Sequence, residues 1–189
     1  MPKTIDEIVR KKNGQKITVV TSYDYTMATL CDQVDILLVG DSAGMVMLGY
    51  ENTAPVTIDQ MCMFTEGVSN GRKNALIVAD LPNKSYENET DAIANSQRLI
   101  KAGADAVKLE GRLPEIIKAI VQADIPVMGH LGLLPQTATK YSVQGKTESD
   151  VESLLDDAKA LQEAGVFSIV LEMVTSEATK KITEMLSVP

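Results

Sequence analysis

Six short apolar runs recur along the chain, at residues 17–23, 36–42, 75–82, 106–111, 126–132 and 168–173, and a segment of helical periodicity follows each. The runs are rich in Val, Ile and Leu and nearly continuous, the pattern of parallel strands covered on both faces. Parallel strands need long crossovers, and the helical segments supply them. Such an alternation folds either as a doubly wound sheet or as a (β/α)8 TIM barrel. A closed barrel typically takes ~250 residues, and this sequence has 189. About six βα units are therefore expected.

Local signals agree with this alternation. Thr57 with Gln60, and Ser149 with Glu152, make capping-box patterns at helix starts. Val151, Leu154, Leu155, Ala158 and Leu161 form one apolar helical stripe. Gly103 and Gly165 stand where helices need a left-handed terminal residue. Ala102-Gly103 precedes Leu109-Glu110 at the same offset as Ala164-Gly165 precedes Leu171-Glu172, so a strand–helix unit repeats without its sequence repeating. No linker or low-complexity stretch interrupts residues 1–189, which are expected to form one domain.

Charge narrows the function. Lys plus Arg number 18 against 26 Asp plus Glu, a net −8. Non-specific nucleic-acid binding needs the opposite balance. The two cysteines, Cys31 and Cys62, are far apart, which argues against a disulfide framework or a thiolate zinc site. The N-terminus carries no apolar signal region, and no stretch is long enough to span a bilayer. A cytoplasmic enzyme without membrane or nucleic-acid partners is the expectation.

Nearly every expected strand ends in a chemically capable residue: Tyr23-Asp24, Asp41-Ser42, Asp80, Lys108 with Glu110, His130, and Glu172. The C-terminal ends of parallel strands form the active rim in both candidate folds. Asp41, Asp80 and Glu110 read either as hard oxygen ligands for Mg2+ or as helix caps and partners of Lys108. Lys108 and Glu110 share one strand face and can reach one ligand. Glu172 follows the apolar Ile169-Val170-Leu171, which would raise its pKa toward that of a general base; a salt-bridged strand-end Glu is the alternative. The lone His130 fits a hydrogen-bonded core or rim residue. Residues 133–147 form a long connection that could serve as a lid.

Three other motifs bear on function. Gly40-Asp41-Ser42-Ala43-Gly44 matches the G-x-S-x-G elbow of serine hydrolases, with Asp80 or Asp105 and His130 following in an allowed order. The elbow must run into a helix, and Met45-Val46-Met47-Leu48-Gly49 is expected to be extended or irregular. Gly145-Lys146-Thr147 is not a P-loop, because Lys140 occupies the first glycine position and no strand precedes it. No G-x-G-x-x-G occurs.

Seven segments occur in a recognisable order over essentially the whole chain. They are Thr21-Ser22-Tyr23-Asp24-Tyr25, Leu38-Val39-Gly40-Asp41-Ser42-Ala43-Gly44-Met45, Val78-Ala79-Asp80-Leu81-Pro82, Val107-Lys108-Leu109-Glu110-Gly111, Gly129-His130-Leu131-Gly132-Leu133 with Pro135-Gln136, Val143-Gln144-Gly145 and Val170-Leu171-Glu172. The set resembles the ketopantoate hydroxymethyltransferase family. The resemblance implies a barrel of the phosphoenolpyruvate/pyruvate type, cytoplasmic and commonly a homo-oligomer, a decamer in the family. It implies transfer of a hydroxymethyl group from 5,10-methylenetetrahydrofolate to 3-methyl-2-oxobutanoate, giving 2-dehydropantoate (ketopantoate) for pantothenate and coenzyme A. The family's Mg2+ ligands would fall on Asp41, Asp80 and Glu110, its substrate contacts on Asp41, Ser42, Asp80 and Lys108, and its catalytic base on Glu172.

The sequence also departs from the family pattern. Phe64 replaces a usual His, Asn83-Lys84 replaces a more apolar or glycine-containing pair, and the loop before Tyr141 is shorter and lacks a glycine pair. The family continues beyond a segment like Val188-Pro189 with two further strand–helix units. The expectation is thus a C-terminally incomplete barrel, as a fragment, a truncated product or a chain completed by a partner. Other readings of the same barrel are a Mg2+-dependent carbon–carbon lyase of the isocitrate lyase/phosphoenolpyruvate mutase type and an inactive remnant.

Overall fold

A computed structural model describes residues 1–189. The six apolar runs form β1 (Val19–Thr21), β2 (Ile36–Val39), β3 (Leu76–Asp80), β4 (Ala106–Glu110), β5 (Val127–Gly132) and β6 (Ser168–Glu172). They make one sheet in the order β1-β2-β3-β4-β5-β6, with every neighbouring pair parallel. A doubly wound sheet reverses its strand order at a switch point, and this one does not. The sheet is the arc of a TIM barrel, six strands of eight.

The helices are α1 (Ile5–Arg10), α2 (Tyr25–Cys31), α3 (Ala43–Leu48), α4 (Ile58–Gly71), α5 (Glu89–Lys101), α6 (Pro114–Gln122), α7 (Glu148–Ala164) and α8 (Ser176–Met185). The box of Thr57 with Gln60 starts α4 as expected. The start of α7 lies two residues earlier than expected. Thr147 caps Asp150 N–H while the Asp150 carboxylate accepts from Thr147 N–H, which draws Ser149 into the first turn. The stretch after Ser42 is the helix α3 rather than extended chain, closed by Gly49 in the left-handed region. Its apolar run carries no alternation to distinguish the two states.

Side chains of a strand alternate between faces. Leu37, Val39, Ile77, Ala79, Val107, Leu109, Val127 and Leu131 point outward into the larger core with the helices. That core also takes in Phe64 of α4, which is buried. Ile36, Leu76, Val78, Ala106 and Met128 point inward and pack with Phe167 and with Ile8 of α1, which closes the lower end. Continuing the inner parity toward the strand C-termini reaches Asp80, Lys108, Glu110, His130 and Glu172. The same inner face is apolar below and charged above.

The outermost strands show the open arc. β3 and β4 are buried along their whole length, whereas β1 is exposed at Val19 and Thr21, and β6 is only half-buried beyond Ser168. Gly132 ends β5 at φ +93°, and a Cβ there would stand 2.2 Å from the Glu172 main-chain oxygen. Both facts restrict the position to glycine, and this close approach sets β6 against β5 beside the charged end.

Asp35, just before β2, ties α1 to the sheet. Lys11 Nζ lies 2.6 Å and Lys3 Nζ 3.3 Å from its Oδ1, and Thr18 N–H donates to Oδ2 at 2.9 Å. Burial alone would raise this carboxyl, but the bonds from Lys11, Thr18 and Lys3 outweigh it and hold the pKa at about 2. A depressed carboxylate pKa stabilises the fold above the unfolded value near 4, and that contribution disappears as pH falls through about 2. Asp35→Asn is expected to cost about 1–2 kcal/mol at pH 7 after solvent screening around the partly exposed lysines. Its difference from wild type in urea unfolding should shrink between pH 5 and pH 2.5. A difference independent of pH would contradict the assignment.

Candidate active site at the C-terminal ends of the strands

The charged upper end of the inner face surrounds a cavity of about 320 Å3, within the range of small-molecule sites. Asp41, Ser42, Asp80, Lys108, Glu110, His130 and Glu172 all line it. The structure thus gathers the strand-end residues of β2 to β6, whereas Asp24 caps α2 and Asp105 pairs with Arg72, both away from the cavity.

Asp41 and Ser42 lie in the turn between β2 and α3. Asp41 N–H donates to Asp80 Oδ2 at 3.2 Å, joining the ends of β2 and β3. Lys108 Nζ lies 3.0 Å from Asp80 Oδ1 and 3.4 Å from His130 Nδ1. His130 Nδ1 also lies 3.6 Å from Glu110 Oε1, and its Nε2 lies 3.2 Å from Glu172 Oε2. The acids of four strands therefore meet around one ammonium and one imidazole.

Electrostatics follow from this crowding. Burial, with Asp80 as a like charge, pushes Asp41 up to about 6 against the pull of Lys108. Burial pushes Glu110 up to about 7, again against Lys108. Asp80 is raised by burial in the same way. For Lys108, burial disfavours the ammonium, but Asp80, Asp41 and Glu110 outweigh it and keep the side chain protonated. His130 is pushed down to about 3 by burial and by Lys108, so its ring is neutral at neutral pH. Since Lys108 can only donate, Nδ1 must accept, which leaves the ring proton on Nε2, facing Glu172. Glu172 opens toward solvent, with its side chain 38% exposed, and is raised mainly by burial.

The donor set can be tested against a divalent cation. No group of three or more His, Cys, Asp or Glu side chains is arranged to hold a metal ion by itself. Asp80 Oδ1, however, is buried without a hydrogen bond although paired with Lys108, and burial, with neighbouring like charges, raises Asp41 and Glu110 toward neutrality. Hard carboxylate oxygens short of counter-charge suit a cation such as Mg2+, which takes one or two protein carboxylates and completes its shell with water and substrate oxygens. Asp41, Asp80 and Glu110 fit it in that sense.

The hydrolase alternative meets a different obstacle from the one expected. A helix does follow Ser42, but Ser42 has ordinary helical dihedrals (φ −53°, ψ −14°) rather than an elbow's strain. Its hydroxyl pairs with Tyr23 Oη at 2.8 Å, while both His130 nitrogens face charged groups. No Ser–His hydrogen bond exists to activate a nucleophile.

The segment expected as a lid splits in two. Tyr141 is exposed and lines the cavity mouth, whereas Gln136 is buried against Asp41. Sequence reasoning assigned no role to Gln136 or Tyr86. Gln136 was visible only as part of the Pro135-Gln136 signature, and nothing in local pattern marks Tyr86, which reaches it from 50 residues away.

Comparison with known proteins gives the chain a family and its fold known relatives. The family model described as ketopantoate hydroxymethyltransferase matches residues 2–189. A 3-methyl-2-oxobutanoate hydroxymethyltransferase of Nitrosopumilus maritimus is 60% identical over 198 aligned positions, covering 100% of this chain and 71% of that protein. One from Cenarchaeum symbiosum is 57% identical over 184, covering 94% of this chain and 70% of that protein. Among solved structures, 2,3-dimethylmalate lyase, a PEP mutase/isocitrate lyase superfamily member, superposes with a TM-score of 0.71 at 20% identity, covering 97% of this chain and 69% of that one. At that identity the likeness is one of fold.

Proposed function

Because this chain belongs to the ketopantoate hydroxymethyltransferase family, we propose that it transfers a hydroxymethyl group to 3-methyl-2-oxobutanoate from 5,10-methylenetetrahydrofolate, giving ketopantoate. The observation that carries this reading is the family match running through the strand ends that converge on one cavity. Overall the transfer consumes one water, whose oxygen becomes the new hydroxyl.

The chain's own residues account for the first half of the reaction. Glu172, half-exposed at the open side of the cavity and raised above an ordinary Glu, takes the proton from C3 of the keto acid. The C–H electron pair moves into the C2–C3 bond as charge develops on the ketone oxygen. Water replaces both C–N bonds of the donor's methylene, releasing tetrahydrofolate and leaving the carbon at the formaldehyde level, and the enolate carbon bonds to it while its water-derived oxygen takes a proton as the new hydroxyl. The protonated Lys108 and the Ser42 hydroxyl bind the substrate carboxylate. Asp41, Asp80 and Glu110 would hold Mg2+, which when bound supplies positive charge beside the ketone oxygen. The neutral His130 sets Nε2 3.2 Å from Glu172 Oε2, outside hydrogen-bond geometry, and does not compete for the proton. A cytoplasmic homo-oligomer belongs to the same proposal; no helix is long and apolar enough to cross a membrane.

The direct test is formation of ketopantoate from both substrates with Mg2+, followed by NMR. Activity that disappears with EDTA and returns with Mg2+ is expected, and Asp80→Asn should lower the rate at least 100-fold, the scale of losing one electrostatic contribution to the transition state. Folate-independent cleavage of 2-methylisocitrate-like acids, with no ketopantoate formed, would place the chain with the lyases instead. Full activity of Asp80→Asn would remove the metal assignment.

A further inference from the structure

Gln136 is 5% exposed, and every polar group of its side chain is engaged. Its Nε2 donates to Asp41 Oδ2 at 2.8 Å and to the Leu81 main-chain oxygen at 2.9 Å. Its Oε1 accepts from the Tyr86 hydroxyl at 2.5 Å, and its main-chain N–H donates to Glu110 Oε2 at 3.1 Å. Asp41 follows β2, Leu81 follows β3 and Glu110 ends β4, so one residue from beyond β5 braces three neighbouring strand ends. The amide cannot be reversed, because a flip would set Oε1 against a carboxylate and a carbonyl, both acceptors.

The brace uses one oxygen of each acid. No protein hydrogen bond falls on Asp41 Oδ1, and Glu110 Oε1 has only His130 Nδ1 nearby, at 3.6 Å. An ordinary loop residue needs only to satisfy itself. Gln136 instead restrains two like-charged carboxylates with neutral donors, without supplying the positive charge they lack. We propose that Gln136 is a positioning residue: it clamps Asp41 and Glu110 from opposite ends of one amino acid, keeps one oxygen of each available, and so sets the affinity of the cluster for a divalent cation. This rests on the reading of the acid cluster as a cation site.

The test is Mn2+ binding to the purified chain, read by the EPR signal of free Mn2+ and independent of turnover. Gln136→Met preserves length and removes the brace, and it should weaken Mn2+ binding at least tenfold. Tyr86→Phe frees the amide without touching either acid, and should weaken it about threefold. Thr65→Val serves as the structural control: it removes the buried hydroxyl that donates to the Met61 main-chain oxygen within α4, and should lower the unfolding midpoint without altering Mn2+ affinity. Wild-type affinity in a folded Gln136→Met, with Asp41→Asn abolishing binding, would overturn the proposal and leave the cation site standing. Should Gln136→Met not fold, unchanged affinity in Tyr86→Phe would overturn it equally. No Mn2+ binding by the wild type would remove the cation site and the proposal together.

Discussion

Glu172→Gln is expected to slow Mg2+-dependent exchange of the C3 proton of 3-methyl-2-oxobutanoate in D2O by roughly 10^2–10^4-fold, the usual contribution of a positioned general base. The amide is nearly isosteric and keeps an oxygen beside His130 Nε2, 3.2 Å away, so geometry survives while basicity is lost. Little stability should be lost, since the side chain is 38% exposed on the outermost strand. Burial raises the Glu172 pKa, with Lys108 acting against it. A raised pKa makes the ionised form a stronger base but delays its appearance, so the wild-type exchange rate should climb with pH through that raised value and then level. The exchange needs no folate, and it reports on residues that are all present here. Exchange within tenfold of wild type in a folded Glu172→Gln would assign the base elsewhere, with His130 the neighbour to examine next.

The sequence made parts of this site legible because two periodicities coincide. Continuous Val/Ile/Leu runs identified the six strands, and the residue closing each run identified the rim. Asp80, Lys108, Glu110, His130 and Glu172 share the inner parity of Ile36, Leu76, Ala106 and Met128. A period-2 rule is enough to aim them together once the strands are parallel and in sequential order. What stayed hidden depends on contacts across the chain. Gln136 meets Asp41 across 95 residues and Tyr86 across 50, both from irregular segments whose path no local rule specifies. The helix α3 was missed because six apolar and small residues show no polar face to reveal a period. The two-residue slip at α7 arose because Thr147 with Asp150 and Ser149 with Glu152 are both plausible boxes, and only the entry of the chain from Gly145 chooses between them.

The largest stability effect is expected at Lys108. The residue is 4% exposed, and its ammonium is the one lysine or arginine cation in contact with the acids of the cavity, 3.0 Å from Asp80 Oδ1. At an effective dielectric of ~20 a pair at that distance attracts by about 5 kcal/mol, most of which offsets the cost of burying both charges. Lys108→Met keeps the stem and removes the charge, leaving Asp80 beside Asp41 with no positive partner. Removing one member of a buried pair costs about 3–5 kcal/mol, which for a chain of this size is a fall of roughly 6–20 °C in the unfolding midpoint. Asp80→Asn added to Lys108→Met should recover more than half of the loss, because an amide carries no charge to desolvate. The pH dependence has a definite sign. Asp41 at about 6 and Glu110 at about 7 already lie above their unfolded values near 4, and loss of Lys108, which lowers both, pushes them higher. The native state of the variant then binds more protons than the unfolded chain, so its stability should fall as pH rises from 5 to 8, more steeply than wild type. Added Mg2+ should restore part of it by returning positive charge to the cluster. A midpoint for Lys108→Met within about 3 °C of wild type in EDTA at pH 8 would mean that the surrounding acids are already neutral, and an ammonium held among ionised carboxylates would no longer describe this site.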